Sequence, residues 1–173
     1  QCAYNQPANA GGNDFYLLKI DTAGAPLWAT YYGGSGDESR LSVDLNQNDY
    51  LFLIGSSTSL DFPLKNDLGF LQCANSGGGG DMLFSQFTWQ SKQEWATYYG
   101  GDSADLSSGS IVVDPTGNVF AVGNVFSSNL EIVNPGGGAY VDSTHNGGTT
   151  ETIILKFTKS PPTPMSIMAE DTI

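Results

Sequence analysis

The chain of 173 residues contains few of the residue types on which most catalytic and metal-binding sites depend. It has one histidine, His145, and two cysteines, Cys2 and Cys73, and no CxxC pair. A structural zinc site takes four ligands, mostly cysteine and histidine, so a site of that kind is excluded. No GxSxG sequence marks a serine nucleophile that His145 could activate. We therefore interpret His145 as an ordinary residue of a loop rich in glycine, threonine and asparagine.

Basic residues and long apolar runs are also scarce. The six basic residues are scattered and leave a net charge of -12: Lys19, Arg40, Lys65, Lys92, Lys156 and Lys159. A nucleic-acid surface needs clustered positive charge, so nucleic acid is a poor partner. No apolar run approaches the ~18 residues of a transmembrane helix. The glycine run at residues 77–80 lacks the lysine of a P-loop.

The clearest positive signal is a seven-residue repeat. The sequence WATYYGG occurs at residues 28–34 and again, unchanged, at residues 95–101. Short apolar runs surround both copies and are separated by Gly, Asn, Asp and Ser, a pattern typical of strands joined by turns. Each full repeat predicts four strands, at residues 15–20, 27–32, 40–45 and 50–54 and at residues 82–87, 94–99, 110–113 and 119–123.

Four strands in one repeat is the size of one blade of a β-propeller. We therefore expect an all-β fold of antiparallel four-stranded blades, with two full repeats and partial ones. The predicted segments are the end of a preceding blade (1–13), repeat 1 with its connector (14–80), repeat 2 with its connector (81–150), the first strand of a further or closing blade (151–159), and a Pro-rich linker and tail (160–173).

Two blades cannot close a ring, because propellers contain about four to eight. Their side faces would leave apolar surface open. The interrupted repeats favour a piece of a longer chain, and the alternative is that several copies of the chain assemble.

The repeat resembles a known family. An acid precedes an apolar strand, WATYYGG follows, and then come an Asn/Asp-rich turn and an apolar run that ends in glycine. The first repeat continues with STSLDFP at residues 57–63. This pattern is similar to the bacterial SBBP-type β-propeller repeat. The resemblance implies a propeller scaffold in a secreted or surface-attached bacterial protein, and it implies no catalytic residues.

Calcium is the cofactor that the loops favour most. Asp44, Asn46 and Asn48 place oxygen-bearing side chains at alternate positions, as calcium-binding loops do. The loop departs from that pattern, because Asp49 occupies the glycine position and Gly55 the position of the final glutamate. A second pair of acidic loops contains Asp37 and Asp105. For all of these residues we favour a structural role in turns, with calcium binding as the alternative.

A disulfide between Cys2 and Cys73 is a second candidate feature, because the two cysteines fall in related loops of neighbouring repeats, and two separate thiols are the reading that we favour. The aromatic residues repeated with WATYYGG are predicted to pack between blades, and sugar stacking is the alternative: Trp28, Tyr31, Tyr32, Trp95, Tyr98 and Tyr99.

The predicted function is a non-catalytic, extracellular scaffold or adhesion module that needs no cofactor, with calcium as the one candidate. Its predicted partners are other blades, further copies of itself, glycans or surface proteins. Two alternatives stay open: a subunit of an extracellular filament assembled by β-strand addition, and a propeller that binds or cleaves glycans, since the 18 acidic residues leave many possible carboxylate pairs.

Overall fold

A computed structural model of the chain describes residues 3–66, 71–132 and 148–158, and the backbone of residues 166–170. Regular structure in these ranges consists of strands and includes no helix, so the all-β prediction is confirmed. The strands are β1 (Phe15–Ile20), β2 (Pro26–Tyr32), β3 (Glu38–Leu45), β4 (Tyr50–Ser57), β5 (Lys65–Asn66), β6 (Asp81–Thr88), β7 (Gln93–Tyr99), β8 (Asp105–Val113), β9 (Val119–Val125), β10 (Glu151–Phe157) and β11 (Ser166–Glu170).

The strands form three antiparallel sheets. Sheet one is the hairpin β1–β2, sheet two has the order β3-β4-β6-β7-β5, and sheet three has the order β11-β10-β9-β8. Strands β1, β6 and β10 occupy equivalent positions in the repeat, as do β4 and β9. Strand β6 pairs with β4 and β10 pairs with β9. Strand β1 pairs with β2, and no second partner of β1 lies in the described ranges.

The sheets do not coincide with the sequence repeats, which corrects the expectation that the four strands of one repeat form one blade. Strands β1 and β2 of repeat 1 stand in sheet one, whereas β3 and β4 pair with β6 and β7 of repeat 2. The chain changes sheets inside each repeat, because the Gly-Gly of WATYYGG ends β2 and β7. Five residues join β2 to β3 and five join β7 to β8, and these links carry the chain from one sheet to the next.

The third strand of each repeat is longer than its apolar pattern predicts. Strands β3 and β8 both contain a bulge, where Arg40 and Gly109 adopt φ values of 58° and 73°. A bulge interrupts the alternation of side chains between the two faces. The polar residues before the bulge therefore read as a loop in the sequence, although they belong to the strand.

Two strands, β5 and β11, lie outside the four-strand pattern of the repeats. The described part of the first connector contains only the two-residue strand β5, in agreement with the absence of a long regular element. Residues 166–170, expected in a tail, form β11 and pair antiparallel with β10. The predicted strand at 151–159 is observed as β10, and it extends the sheet that β8 and β9 begin.

Two apolar clusters join the three sheets, one on each face of sheet two. The first cluster lies between sheets one and two, and the second between sheets two and three. The buried members of the first are Phe15, Leu17, Tyr32, Leu53, Phe62, Leu83, Phe87 and Tyr98. The buried members of the second are Ile54, Met82, Phe84, Trp95, Tyr99, Ile111, Val119, Ala121, Val125, Ile153 and Leu155.

The repeated aromatics behave differently in the two copies. Tyr98, Tyr99 and Trp95 are all buried in these clusters, whereas Tyr31 and Trp28 of the first copy are only partly buried. In sheet two, strands β6 and β7 are covered on both faces, whereas the described residues cover sheet one on one face only. The inter-sheet packing predicted for these residues therefore holds most fully for the second copy.

Burial at one repeat position can be tested with a matched pair of substitutions. Phe87 is fully buried and meets the ring of Tyr32 edge-on, with the centroids 5.0 Å apart. Phe87→Ala is expected to lower the free energy of unfolding by ~3–5 kcal/mol, because it leaves a cavity. Ile20 has the equivalent position in sheet one but is 54% exposed, so Ile20→Ala should cost less than ~1 kcal/mol. Equal losses in urea-unfolding curves would contradict the difference in burial.

Candidate functional site

The polar residues of the chain gather where it crosses from one sheet to the next. These crossings lie at residues 33–37 and 100–104, and each begins with the Gly-Gly of WATYYGG. An acid stands at the start of the strand that follows, Glu38 in β3 and Asp105 in β8. Both acids are buried.

Asp105 organises the second crossing. One carboxylate oxygen accepts hydrogen bonds from the amide of Gly101 and the hydroxyl of Ser127, both at 2.6 Å. The other oxygen accepts from the amides of Phe126 and Ser127 at 3.0 and 3.2 Å. Burial of a carboxylate is tolerated only when such donors replace water. Asp105 thereby ties the crossing to the end of β9.

Glu38 has the same role in the first crossing. Its Oε2 accepts from the amide of Gly34 at 3.0 Å, and its Oε1 accepts from the hydroxyls of Ser57 and Ser59 at 2.6 Å each. Both acids accept from a glycine amide and from serine hydroxyls, and Asp105 accepts in addition from the main-chain amides that directly follow β9. The two repeats thus reach one arrangement with different acids.

A second acid lies beside each of these. Asp14 and Asp81 precede or open the equivalent strands β1 and β6. One oxygen of Asp14 accepts from the side chain of Gln6 at 2.6 Å and the amide of Ala10 at 2.9 Å. One oxygen of Asp81 accepts from the amide of Ser76 at 2.7 Å and the side chain of Gln72 at 3.3 Å.

The remaining oxygen of Asp14 and of Asp81 is buried and has no hydrogen-bond partner. These oxygens lie against the first glycine of each Gly-Gly pair. A Cβ atom on Gly33 would overlap with Asp14 and Glu38, and one on Gly100 would overlap with Asp81. The crossing therefore requires glycine here for space, because a carboxylate occupies the volume of a side chain.

The second carboxylate pair is electrostatically strained. Burial, together with the negative charge of Asp105, raises the pKa of Asp81 from its ordinary value of 3.8 to about 6. Hydrogen bonds from Ser76 and Gln72 oppose this rise but do not cancel it. Protonation of Asp81 removes the charge that its burial and the neighbouring Asp105 disfavour.

The calcium candidates of the β3–β4 turn have structural partners. Asp44 accepts from the amide of Leu45 at 2.8 Å and, across the sheets, from the amide of Val113 at 2.7 Å. Asn46 accepts from the amides of Asn48 and Tyr50, which is the pattern of an Asx turn. The turn also contains Asp49 with a φ of 61°.

Asp37 and Asp105 are not brought together with that turn or with each other as one site. Asp37 lies in the exposed part of the first crossing and accepts from the amide and side chain of Asn13. In the described ranges, no three His, Cys, Asp or Glu side chains gather where they could hold one metal ion. Calcium binding at Asp44, Asn46, Asn48, Asp37 or Asp105 stays a prediction.

The other sequence candidates lie at or beyond the limits of the described residues. Cys73 is exposed with a free thiol, whereas Cys2, its predicted disulfide partner, lies outside the described residues. His145 also lies outside them. Within the part of the chain that the structure covers, no helix has the length and apolar character needed to cross a membrane.

Sequence reasoning missed the two glutamines that hold Asp14 and Asp81. Gln6 and Gln72 each donate to the acid and accept from the first glycine amide of the crossing, at 3.3 and 3.1 Å. A signal for them exists, since the pattern QxANxGG occurs at residues 6–12 and again at residues 72–78. Aligning the two loops by this pattern would have identified both glutamines as parts of the repeat.

The raised pKa of Asp81 predicts a pH dependence of stability. The folded protein binds a proton more tightly here than the unfolded chain does, so this group's contribution falls as the pH rises from about 4 to about 6. Asp81→Asn removes that charge and is expected to gain on the order of 2–3 kcal/mol relative to wild type above pH 7. Unfolding free energies of both proteins between pH 4 and 8 would show the gain growing with pH.

Asp105→Asn is the matched control, because it changes the neighbouring acid in the same way. Its amide group would face donors that now bond a carboxylate, so it should lower stability by at least ~2 kcal/mol at pH 7. A gain from Asp81→Asn that stays constant between pH 4 and 8 would contradict the assignment of the raised pKa.

The comparisons with known proteins agree with this geometry. Residues 94–124, which run from β7 through the second crossing to β9, match the model of SBBP, a beta-propeller repeat. No curated protein matches the chain. Asp105, the bulge of β8 and the whole second WATYYGG copy therefore lie inside the matched residues. The chain carries a beta-propeller repeat of the SBBP family at residues 94–124, as the sequence resemblance indicates.

Proposed function

We propose that this chain is a non-catalytic structural module of a secreted or surface-attached bacterial protein, in which stacked sheets hold exposed loops at set positions. One observation carries the proposal. The arrangement of buried carboxylate, Gly-Gly and glutamine occurs in both repeats with equivalent hydrogen bonds: one glycine amide donates to the acid and the other to the glutamine. A ligand site is needed once, whereas a structural device is needed at every crossing between sheets.

A substitution between the repeats supports this reading. Asp61 accepts a hydrogen bond from the amide of Ser35 at 2.8 Å, and Asn129 accepts the equivalent bond from the amide of Asp102 at 2.9 Å. Aspartate and asparagine share an acceptor oxygen but differ in charge. The position thus needs the acceptor and not the charge, which favours a turn-stabilising role over cation binding.

The extracellular assignment is supported by composition and by the family. The chain has 6 basic against 18 acidic residues, a net charge that favours solubility. The resemblance to repeats of secreted bacterial proteins supports the same location. Its partners are then other sheets of the same type, or molecules that contact the loops that differ between repeats.

The proposal is tested by searching for ligand effects on the intact chain. We expect no change in melting temperature between 5 mM calcium and EDTA, since the candidate carboxylates Asp37, Asp44 and Asp105 already accept hydrogen bonds from the protein. We also expect no saturable binding and no cleavage on a panel of acidic and neutral glycans.

Asp37→Asn separates the alternatives, because Asp37 lies in the exposed part of its crossing and Asp105 is buried. Saturable glycan binding that Asp37→Asn abolishes without changing the melting temperature would overturn the structural proposal and favour the glycan-binding one. A calcium-induced rise in melting temperature that the same variant removes would contradict the expectation that the chain binds no calcium.

A further inference from the structure

Among the residues that the structure describes, the stack of three sheets has two apolar faces that no other sheet covers, one at each end. The leading face is the side of sheet one that does not touch sheet two. It contains Tyr16, Leu18 and Ile20 of β1, which are 54%, 51% and 54% exposed. Tyr16 pairs with Tyr31 of β2 across the hairpin, and their rings meet with centroids 5.3 Å apart.

The equivalent residues of sheet two are fully covered. Leu83, Ser85 and Phe87 of β6 occupy the same repeat positions as Tyr16, Leu18 and Ile20, and their exposures are 2%, 1% and 0%. The residues that cover them include Phe15, Leu17 and Tyr32, on the opposite face of sheet one. In sheet two, the residues equivalent to the leading face therefore pack against a neighbouring sheet, and the leading face lacks this contact.

The trailing face is the side of sheet three that does not touch sheet two. Val112, Phe120 and Lys156 are cross-strand neighbours in β8, β9 and β10, so they share this face. Val112 is 59% and Phe120 is 36% exposed. The neighbouring row, Ile111, Ala121 and Leu155, faces the other way and is buried against sheet two.

The trailing face also has a covered equivalent within the chain. Phe120 stands three residues before the glycine of β9, as Phe52 stands three before the glycine of β4. Phe52 packs against the cluster between sheets two and three. Both end faces thus repeat positions that pack against a neighbouring sheet elsewhere in the same chain.

We propose that the leading face of one copy of this chain binds the trailing face of a second copy, head to tail. The contact extends the inter-sheet packing already present twice in the chain, and it buries apolar residues that water now covers. Two different faces meet, so the interface is heterologous and assembly grows beyond a dimer unless it closes into a ring. Self-assembly of this kind goes beyond the structural role proposed above.

Charge sets the conditions of assembly. Each copy has a net charge of -12, so copies repel one another at low ionic strength. Salt shortens the range of this repulsion, from ~10 Å at 0.1 M to ~3 Å at 1 M. Association should therefore increase with salt, as expected for an apolar contact between acidic surfaces.

The test is sedimentation velocity of the whole chain at rising concentration in 1 M NaCl. The wild-type chain should show species larger than a dimer. Leu18→Asp and Phe120→Asp each spoil one face, so each alone should sediment at the monomer mass of 18.3 kDa. An equimolar mixture should form a complex of twice that mass, because each variant keeps one intact face. Tyr16→Asp and Val112→Asp serve as a second pair if either first variant loses its native melting transition.

Leu60→Asp is the matched control, because Leu60 is 76% exposed and lies outside both faces. It should assemble as the wild type does. A wild-type chain that stays monomeric at every concentration would overturn the proposal. A mixture that fails to restore the dimer would also overturn it, since a symmetric interface behaves in that way. An equal loss of assembly in Leu60→Asp would show that the association is non-specific.

Discussion

Burial of a carboxylate at each crossing between sheets is the constraint on which this structure depends. A charged side chain away from water requires hydrogen-bond donors, and at these crossings the donors come from the main chain and from serine hydroxyls. Asp105 bonds Gly101 on one side and the end of β9 on the other, so the end of one sheet and the start of the next are held together. Glu38 does the same at the first crossing.

The close approach of acidic side chains to the main chain at the crossings explains the repeated glycines. The first glycine of each Gly-Gly pair borders a second acid, and no side chain would fit between them. In the second pair, burial and then the negative charge of Asp105 raise the pKa of Asp81. This local cost is tolerated because two large apolar clusters, one on each face of sheet two, stabilise the stack.

An apolar cluster lies between each pair of neighbouring sheets in this stack. Sheet two is the inner sheet, and its aromatic strands β6 and β7 are almost completely buried between its neighbours. Sheets one and three are covered on one face only, so equivalent residues have opposite exposures at the two ends. The acidic residues that resemble binding sites in the sequence are mostly engaged in holding this stack together.

Much of the fold could be predicted from the sequence alone. The duplicated WATYYGG, the short apolar runs and the turn residues determined the strand content and the succession of strands along each repeat, because strand-forming patterns and turns are local properties. The same signals indicated the SBBP beta-propeller repeat, whose family model matches residues 94–124. What remained hidden depends on contacts between residues distant in the sequence. The pairing of β4 with β6, the burial of Asp105, the unpartnered oxygen of Asp81 and the part of β8 before its bulge were decided only by the tertiary structure. An acid in a turn reads the same whether water or a neighbouring sheet surrounds it, and only the folded chain supplies the donors that allow it to be buried.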